Sequence, residues 1–261
     1  MCDIAWTPPG RSCKLTPVIP ARKSRLFDAW FTRYTERRLR RCFSQVLVRG
    51  ARQVRELATQ RPLLIVSNHT SWWDGLVILY LTNRVLDADG YALMDAKNLR
   101  RLRFFARVGA FGVDLERPQD VAAGLRLAAR LLRTAGRVVW VFPQGHEVAV
   151  TARPLGFRPG AAGVARLSPQ AAVVPMGLRY EFGELELPRL FVAFGAPVPP
   201  IRDVEPQRQA QEDAVTAQLN LIDEAIVRDP GRHHGFDCLI ETRPRSLSRL
   251  ATKALSRLAG L

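Results

Sequence analysis

Apolar residues in this chain gather in short runs separated by polar loops. Leu63-Leu64-Ile65-Val66, Val138-Val139-Trp140-Val141-Phe142 and Val173-Val174-Pro175-Met176-Gly177-Leu178 are continuously apolar. Such runs, about four to eight residues long and bounded by turn residues, read as strands buried on both faces. Val46-Leu47-Val48, Tyr91-Ala92-Leu93-Met94 and residues 190–195 add shorter strands, and the turn at Gly109 leads into another that ends near Asp114. Between them the period changes to that of a helix. A short helix fits residues 50–60, and a second fits 74–81. A basic one fits 99–108, with Leu102, Phe104 and Phe105 inward. Residues 121–134 are apolar at Val121, Leu125, Ala128 and Leu132. A small-residue helix fits 160–167, and a polar one fits 206–227, ended by Asp229-Pro230-Gly231. Strands alternating with helices predict an α/β fold: a mixed central sheet flanked by helices.

The two ends of the chain follow another plan. Residues 1–20 carry Pro8, Pro9, Pro17 and Pro20 and read as a disordered tail. Across 21–45, Leu26, Phe27, Trp30, Phe31 and Tyr34 recur at helical spacing among Arg22, Lys23, Arg25, Arg33, Arg37, Arg38, Arg40 and Arg41. That is a basic amphipathic helix. Its aromatic stripe either docks on the core or lies in a membrane interface. Residues 46–228 form the α/β domain. Residues 229–261 form a second basic amphipathic segment, in which Leu247, Leu250, Leu255 and Leu258 alternate with Arg245, Arg249, Lys253 and Arg257. No apolar run approaches the ~20 residues needed to span a bilayer.

Charge sharpens this picture. The formal net charge is +15 over 261 residues, and the basic residues are almost all arginine, with Lys14, Lys23, Lys97 and Lys253 the exceptions. A field of that sign attracts nucleic acid, anionic lipid headgroups or acidic cofactors, and arginine grips phosphate bidentately. The arginines near the termini are interleaved with aromatics and leucines, and no nucleic-acid-binding motif accompanies them. Cys2, Cys13, Cys42 and Cys238 show neither paired spacing nor a metal-ligand pattern and read as free thiols.

The candidate chemistry lies in Ser67-Asn68-His69-Thr70-Ser71-Trp72-Trp73-Asp74, directly after one apolar run and before another. An imidazole can take a proton from a hydroxyl near neutral pH. A carboxylate can hold the ring in one tautomer and stabilise the imidazolium. Equally, Asp74 could cap the helix that follows. Downstream, Phe142-Pro143-Gln144-Gly145-His146-Glu147 follows a buried strand. A Pro-x-Gly turn there exposes backbone N–H groups able to meet an oxyanion.

Taken together, these segments resemble the glycerolipid acyltransferase family, which includes the lysophosphatidate acyltransferases. That family carries four blocks in fixed order. The Asn-His-x4-Asp block is matched by Asn68, His69 and Asp74. A Gly-x-x-Phe/Val-x-Asp-Arg block is matched loosely by Gly109 through Asp114 and Arg117. Phe-Pro-Glu-Gly-Thr-Arg is matched in part by Phe142-Pro143-Gln144-Gly145. An apolar run with a proline is matched by Val173 through Tyr180. The resemblance covers roughly residues 46–199. It implies a glycerolphosphate acyltransferase-like fold and acyl transfer from acyl-CoA or acyl carrier protein to a lipid hydroxyl, most simply of a lysophosphatidate-type acceptor. His69 would be the general base and Asp74 its orienting partner. Arg117, Gln144, Gly145 and His146 would bind the acceptor or the oxyanion. No metal or redox cofactor is required. The partners would be the acyl donor, a membrane lipid acceptor and an anionic membrane surface, with the protein peripheral on the cytoplasmic face.

This chain departs from the family pattern in two blocks. Leu115-Glu116 are inserted before Arg117, and the third block has Gln144 for glutamate and His146-Glu147 for threonine-arginine. A cation is lost and an anion gained, with Arg153 and Arg158 next in sequence as replacements. An acceptor without phosphate, such as a glycolipid, another lysolipid or a hydroxylated isoprenoid, therefore stays open. A hydrolase using the same base lacks support, since no Gly-x-Ser-x-Gly elbow is present.

Overall fold

The computed structural model describes residues 18–228, 233–242 and 256–259. Nine strands form one sheet. They are β1 (Val18–Ile19), β2 (Gln45–Arg49), β3 (Leu63–Ser67), β4 (Asp89–Asp95), β5 (Ala110–Val113), β6 (Arg137–Val141), β7 (Ala172–Glu181), β8 (Arg189–Phe194) and β9 (Asp237–Glu241). Their spatial order is β1-β5-β4-β6-β3-β7-β8-β2-β9. From β5 to β7 every neighbouring pair is parallel. β8 then runs antiparallel to β7, and β2 parallel to β8. The sheet is therefore mixed, with a parallel centre.

Helices cover both faces. α1 (Arg25–Cys42), α2 (Ala51–Gln60) and α3 (Asp74–Tyr80) lie on one side. On that side Leu63, Ile65, Val138 and Trp140 pack with Leu39, Val54, Ile78 and Leu81. The alternate strand residues Leu64, Val66, Val139 and Val141 turn the other way. They meet α5 (Pro118–Leu131), α6 (Gly160–Leu167) and α7 (Val204–Arg228) through Ala128, Ala161, Val164, Val215 and Leu219. This period of two explains why the central strands are apolar at every position: each face of the sheet needs its own set. Trp140 is the largest side chain in this core, and its indole donates to the Thr82 hydroxyl at 2.8 Å.

Three expectations need correction. The helix across 99–108 is split: α4 (Ala96–Arg101) ends at Leu102, and a 3₁₀ segment follows over Arg103–Val108. The split lets the carbonyls of Ala106 and Arg107 accept from Arg22 and Ser24, the entry to α1. It also leaves Phe104 exposed rather than inward. Val18 and Ile19, expected within a disordered tail, pair with β5. The helix of 74–81 does not stop there but continues as a π-helical segment over Leu81–Leu86.

Within α1, Phe31, Thr32, Thr35 and Leu39 are buried, while Leu26, Trp30 and Tyr34 are exposed. The aromatic stripe is thus divided between core and surface. One expected boundary also moves: within the segment 229–261, read as a basic amphipathic tail, Asp237–Glu241 instead form β9 against β2, so the sheet extends past residue 228. Of the rest of that segment, 243–255, 260 and 261 fall outside the described residues, as do residues 1–17 and 229–232, which include Asp229-Pro230-Gly231. Among the described residues, no helix is long and apolar enough to cross a membrane.

Candidate active site

The parallel strands put their C-terminal ends on one edge of the sheet. The loops after β3, β6 and β5 leave from that edge, and they carry the first, third and second blocks in turn. β7 passes the same edge: Ser67 is level with Met176, so residues 177–181 run on beyond the end of β3.

Asn68 shows how β3 ends without losing its pairing. Its side-chain amide donates to the Leu178 carbonyl at 2.8 Å and accepts from the Leu178 N–H at 2.9 Å. One amide side chain thus replaces a backbone rung, and the chain is free to turn at His69. An aspartate could only accept, and would leave the Leu178 carbonyl unpaired in the interior.

After that turn, Asp74 is fully buried. Its Oδ2 meets His69 Nδ1 at 2.7 Å and accepts from the N–H groups of Thr70 (2.8 Å) and Ser71 (3.1 Å). Its Oδ1 accepts from the Tyr180 hydroxyl at 2.6 Å. These donors precede Asp74 or lie on another strand, so the carboxylate ties the loop back on itself instead of capping α3. With Nδ1 engaged by a carboxylate, the ring's other nitrogen, Nε2, is left as a proton acceptor. Nε2 has no partner among the described residues, and the His69 side chain is 23% exposed.

The third block holds His69 from the other side. The His69 N–H donates to Gln144 Oε1 at 2.6 Å, and the His69 carbonyl accepts from Val148 N–H at 2.8 Å. The Phe142 ring stacks on the imidazole with centroids 4.6 Å apart. Gln144 is buried, and its Nε2 donates to the Leu155 carbonyl at 3.0 Å. Both ends of that amide are therefore engaged, its oxygen by His69 N–H and one of its two N–H donors by the Leu155 carbonyl. The job needs a donor and an acceptor on one side chain, which explains glutamine where the family has glutamate. The Gly145 N–H closes the turn onto the Phe142 carbonyl at 3.1 Å, with Gly145 in the left-handed region at φ 77°. The next two amides, of His146 and Glu147, have no acceptor among the described residues.

The remaining expected residues are more loosely placed. Arg117 precedes α5, is exposed, and lies 3.7 Å from the Asp114 carboxylate. Its strand, β5, is three strands from β3, about 14 Å at the usual spacing. Arg153 is turned onto the carbonyls of Val150 and Ala152. Arg158 is different. Its N–H donates to the Pro143 carbonyl at 2.9 Å, and its guanidinium stands against the open side of Gly145, where a Cβ would meet it at 3.4 Å. Glu212 on α7 fixes the preceding residues by accepting from the N–H groups of Gly156 and Phe157.

Sequence reading missed Tyr180, which arrives from a strand remote in the chain. Burial, the Asp74 charge and the hydrogen bond to Asp74 push its phenol well above the ordinary value, in that order of weight. The ring also walls a cavity of about 370 Å³ together with Phe43, Trp73, Phe182, Thr70 and Ser71. A polar tip on an apolar run is the signal that marks such a residue in sequence.

A buried carboxylate thus holds an imidazole at the edge of a parallel sheet, beside a cavity. Residues 45–179 match the acyltransferase family, and the chain belongs to that family. Its class of activity is acyl transfer. The fold is similar to the crystal structure of the 1-acyl-sn-glycerophosphate (LPA) acyltransferase PlsC from Thermotoga maritima. The TM-score is 0.55 at 16% sequence identity, over 75% of this chain and 79% of that one. Among curated proteins, no sequence matches the chain.

Proposed function

We propose that this acyltransferase moves a fatty acyl group from acyl-CoA or acyl carrier protein to the hydroxyl of a lysophosphatidate-type lipid. The single observation behind the reading is the His69 contact to Asp74, with Nε2 unpartnered among the described residues. Nε2 takes the proton of the acceptor hydroxyl as its oxygen attacks the thioester carbon. Asp74 stabilises the imidazolium that forms. The negative charge on the former carbonyl oxygen is met by the amides of His146 and Glu147. Collapse of the adduct breaks the carbon–sulfur bond, and the imidazolium proton goes to the departing thiolate. A thioester is already activated, so an oriented base and a few dipoles suffice. General base catalysis typically contributes ~10²–10⁴-fold.

Arg158 replaces the cation missing from the third block and meets the acceptor's phosphate, with the exposed Arg117, three strands from β3, supplying a longer-range positive charge on the same sheet edge. The apolar cavity beside Tyr180 holds a hydrocarbon chain. The exposed Leu26, Trp30 and Tyr34, with Arg33 and Arg37 exposed beside them, rest on an anionic membrane surface that presents the acceptor. One observation favours an acceptor without phosphate: Glu147 is exposed on the site loop with no cationic partner among the described residues.

The test is to give the purified protein labelled acyl-CoA with a panel of lysolipids, glycolipids and glycerol phosphate, and to identify the product. Acylation of lysophosphatidate is expected. Acylation confined to uncharged acceptors would move the reading to the second class. Acyl release without any acceptor would make the protein a hydrolase.

A further inference from the structure

We propose that Tyr180 is the positioning residue of this site: its hydroxyl locks the Asp74 carboxylate in the one orientation that serves His69, while its ring walls the adjoining cavity. This rests on the reading of His69 as the base.

The argument starts from the two oxygens of Asp74. Oδ2 is shared by His69 Nδ1 and the N–H groups of Thr70 and Ser71, all from the same loop. Oδ1 has one donor, the Tyr180 hydroxyl, 106 positions away in sequence. Three donors on Oδ2 all belong to the loop that Asp74 itself closes, so they can shift together with the carboxylate, and they leave Oδ1 unpaired in a buried site. The donor on Oδ1 satisfies that oxygen and ties the carboxylate's torsion to a strand outside the loop. Asp74 is wholly buried, so water cannot supply a substitute. Tyr180 is itself anchored. Its strand is tied to the same loop through Asn68 and Leu178, and its ring packs on Phe43 with centroids 5.7 Å apart. Burial and the Asp74 charge keep the phenol protonated, so it remains a donor. The rival role is purely structural, a ring filling the cavity wall.

Tyr180→Phe keeps the ring and removes the donor. The expected result is a fall in kcat of roughly 10- to 100-fold, the size of a lost hydrogen bond to a charged group, with KM for the acyl donor within about twofold. Asp74, with one donor fewer, should accept more strongly from His69. The His69 Nδ1 proton resonance should therefore move downfield. Placing 3-fluorotyrosine at position 180 supplies a stronger donor of nearly the same volume. It should retain most of kcat and move the resonance upfield, and it covers the case in which the Phe variant fails to fold. Opposite shifts from the two replacements support positioning. An unmoved resonance, or a rise in KM with kcat unchanged, would assign Tyr180 to the wall alone and overturn the proposal. The NMR readout needs no substrate. Shifted resonances in a protein that acylates nothing would therefore sink the function while leaving the positioning role in place.

Discussion

The loops after β3 and β5 leave the same edge of the same sheet, and they are built in opposite ways. In the first, Asp74 is fully buried and takes four hydrogen bonds, and the His69 backbone is held at both its N–H and its carbonyl. In the second, Arg117 is more than half exposed, and its carboxylate neighbour lies 3.7 Å away. Under the proposed function, the difference matches two tasks. Moving a proton at a chosen atom needs geometry fixed to a fraction of an ångström. Attracting a phosphate needs only charge and reach, since an arginine can adjust its long stem. On that proposal, rigidity is concentrated where a bond is made.

The comparison can be broken from its strong side first. His69→Ala should abolish acyl transfer, on the order of 10³-fold or more, with the circular dichroism spectrum unchanged. A variant that kept a tenth of the rate would remove His69 from the base role. Asp74→Asn should cost on the order of 10²–10⁴-fold in kcat, because the amide cannot both accept from Nδ1 and balance an imidazolium. A loss of less than about tenfold would mean that the buried carboxylate serves only the fold. Arg158→Ala and Arg117→Ala test the weaker side. Each should raise KM for a phosphate-bearing acceptor about tenfold, or ~1.4 kcal/mol, with kcat little changed. If Arg117→Ala instead collapsed kcat, the contrast between the two loops would fail. The smallest effect is expected at α1. Replacing Trp30 and Tyr34 by alanine should lower binding to anionic vesicles about tenfold or less, given partial burial of each ring at the headgroup boundary. Unchanged co-sedimentation would leave α1 without a membrane role.

Much of the sheet was legible because its central strands are apolar at every position. β3, β6 and β7 could be read from 63–66, 138–142 and 173–180 with only the ends shifting by a residue or two. The edge strands were not legible. β1 has two residues, and β9 is Asp-Cys-Leu-Ile-Glu with only Ile240 buried, too short and too polar for a period to emerge. Phe104 was misplaced because a helical period was extended across Leu102, where α4 ends and a 3₁₀ segment begins whose Ala106 and Arg107 carbonyls accept from Arg22 and Ser24. At the site, the His69–Asp74 contact was legible because its spacing is local. The contacts of Gln144, Arg158 and Tyr180 were not, since each depends on which strand ends become neighbours. Gln144 read as a departure from glutamate, and only its two contacts show that it braces the histidine.

The bracing has a dynamic consequence. Because the His69 carbonyl is bound by Val148 N–H and its N–H by Gln144, residues 144–148 cannot swing away without carrying the histidine with them. Gln144 and Arg158 extend the same body to residues 155–158, and Glu212 bolts those to α7. The wall behind the imidazole is thus a single rigid piece that runs from the sheet edge to a helix on the opposite face. If the proposed function holds, substrates would approach His69 from the side away from that wall, where the cavity lined by Phe182 and Trp73 lies.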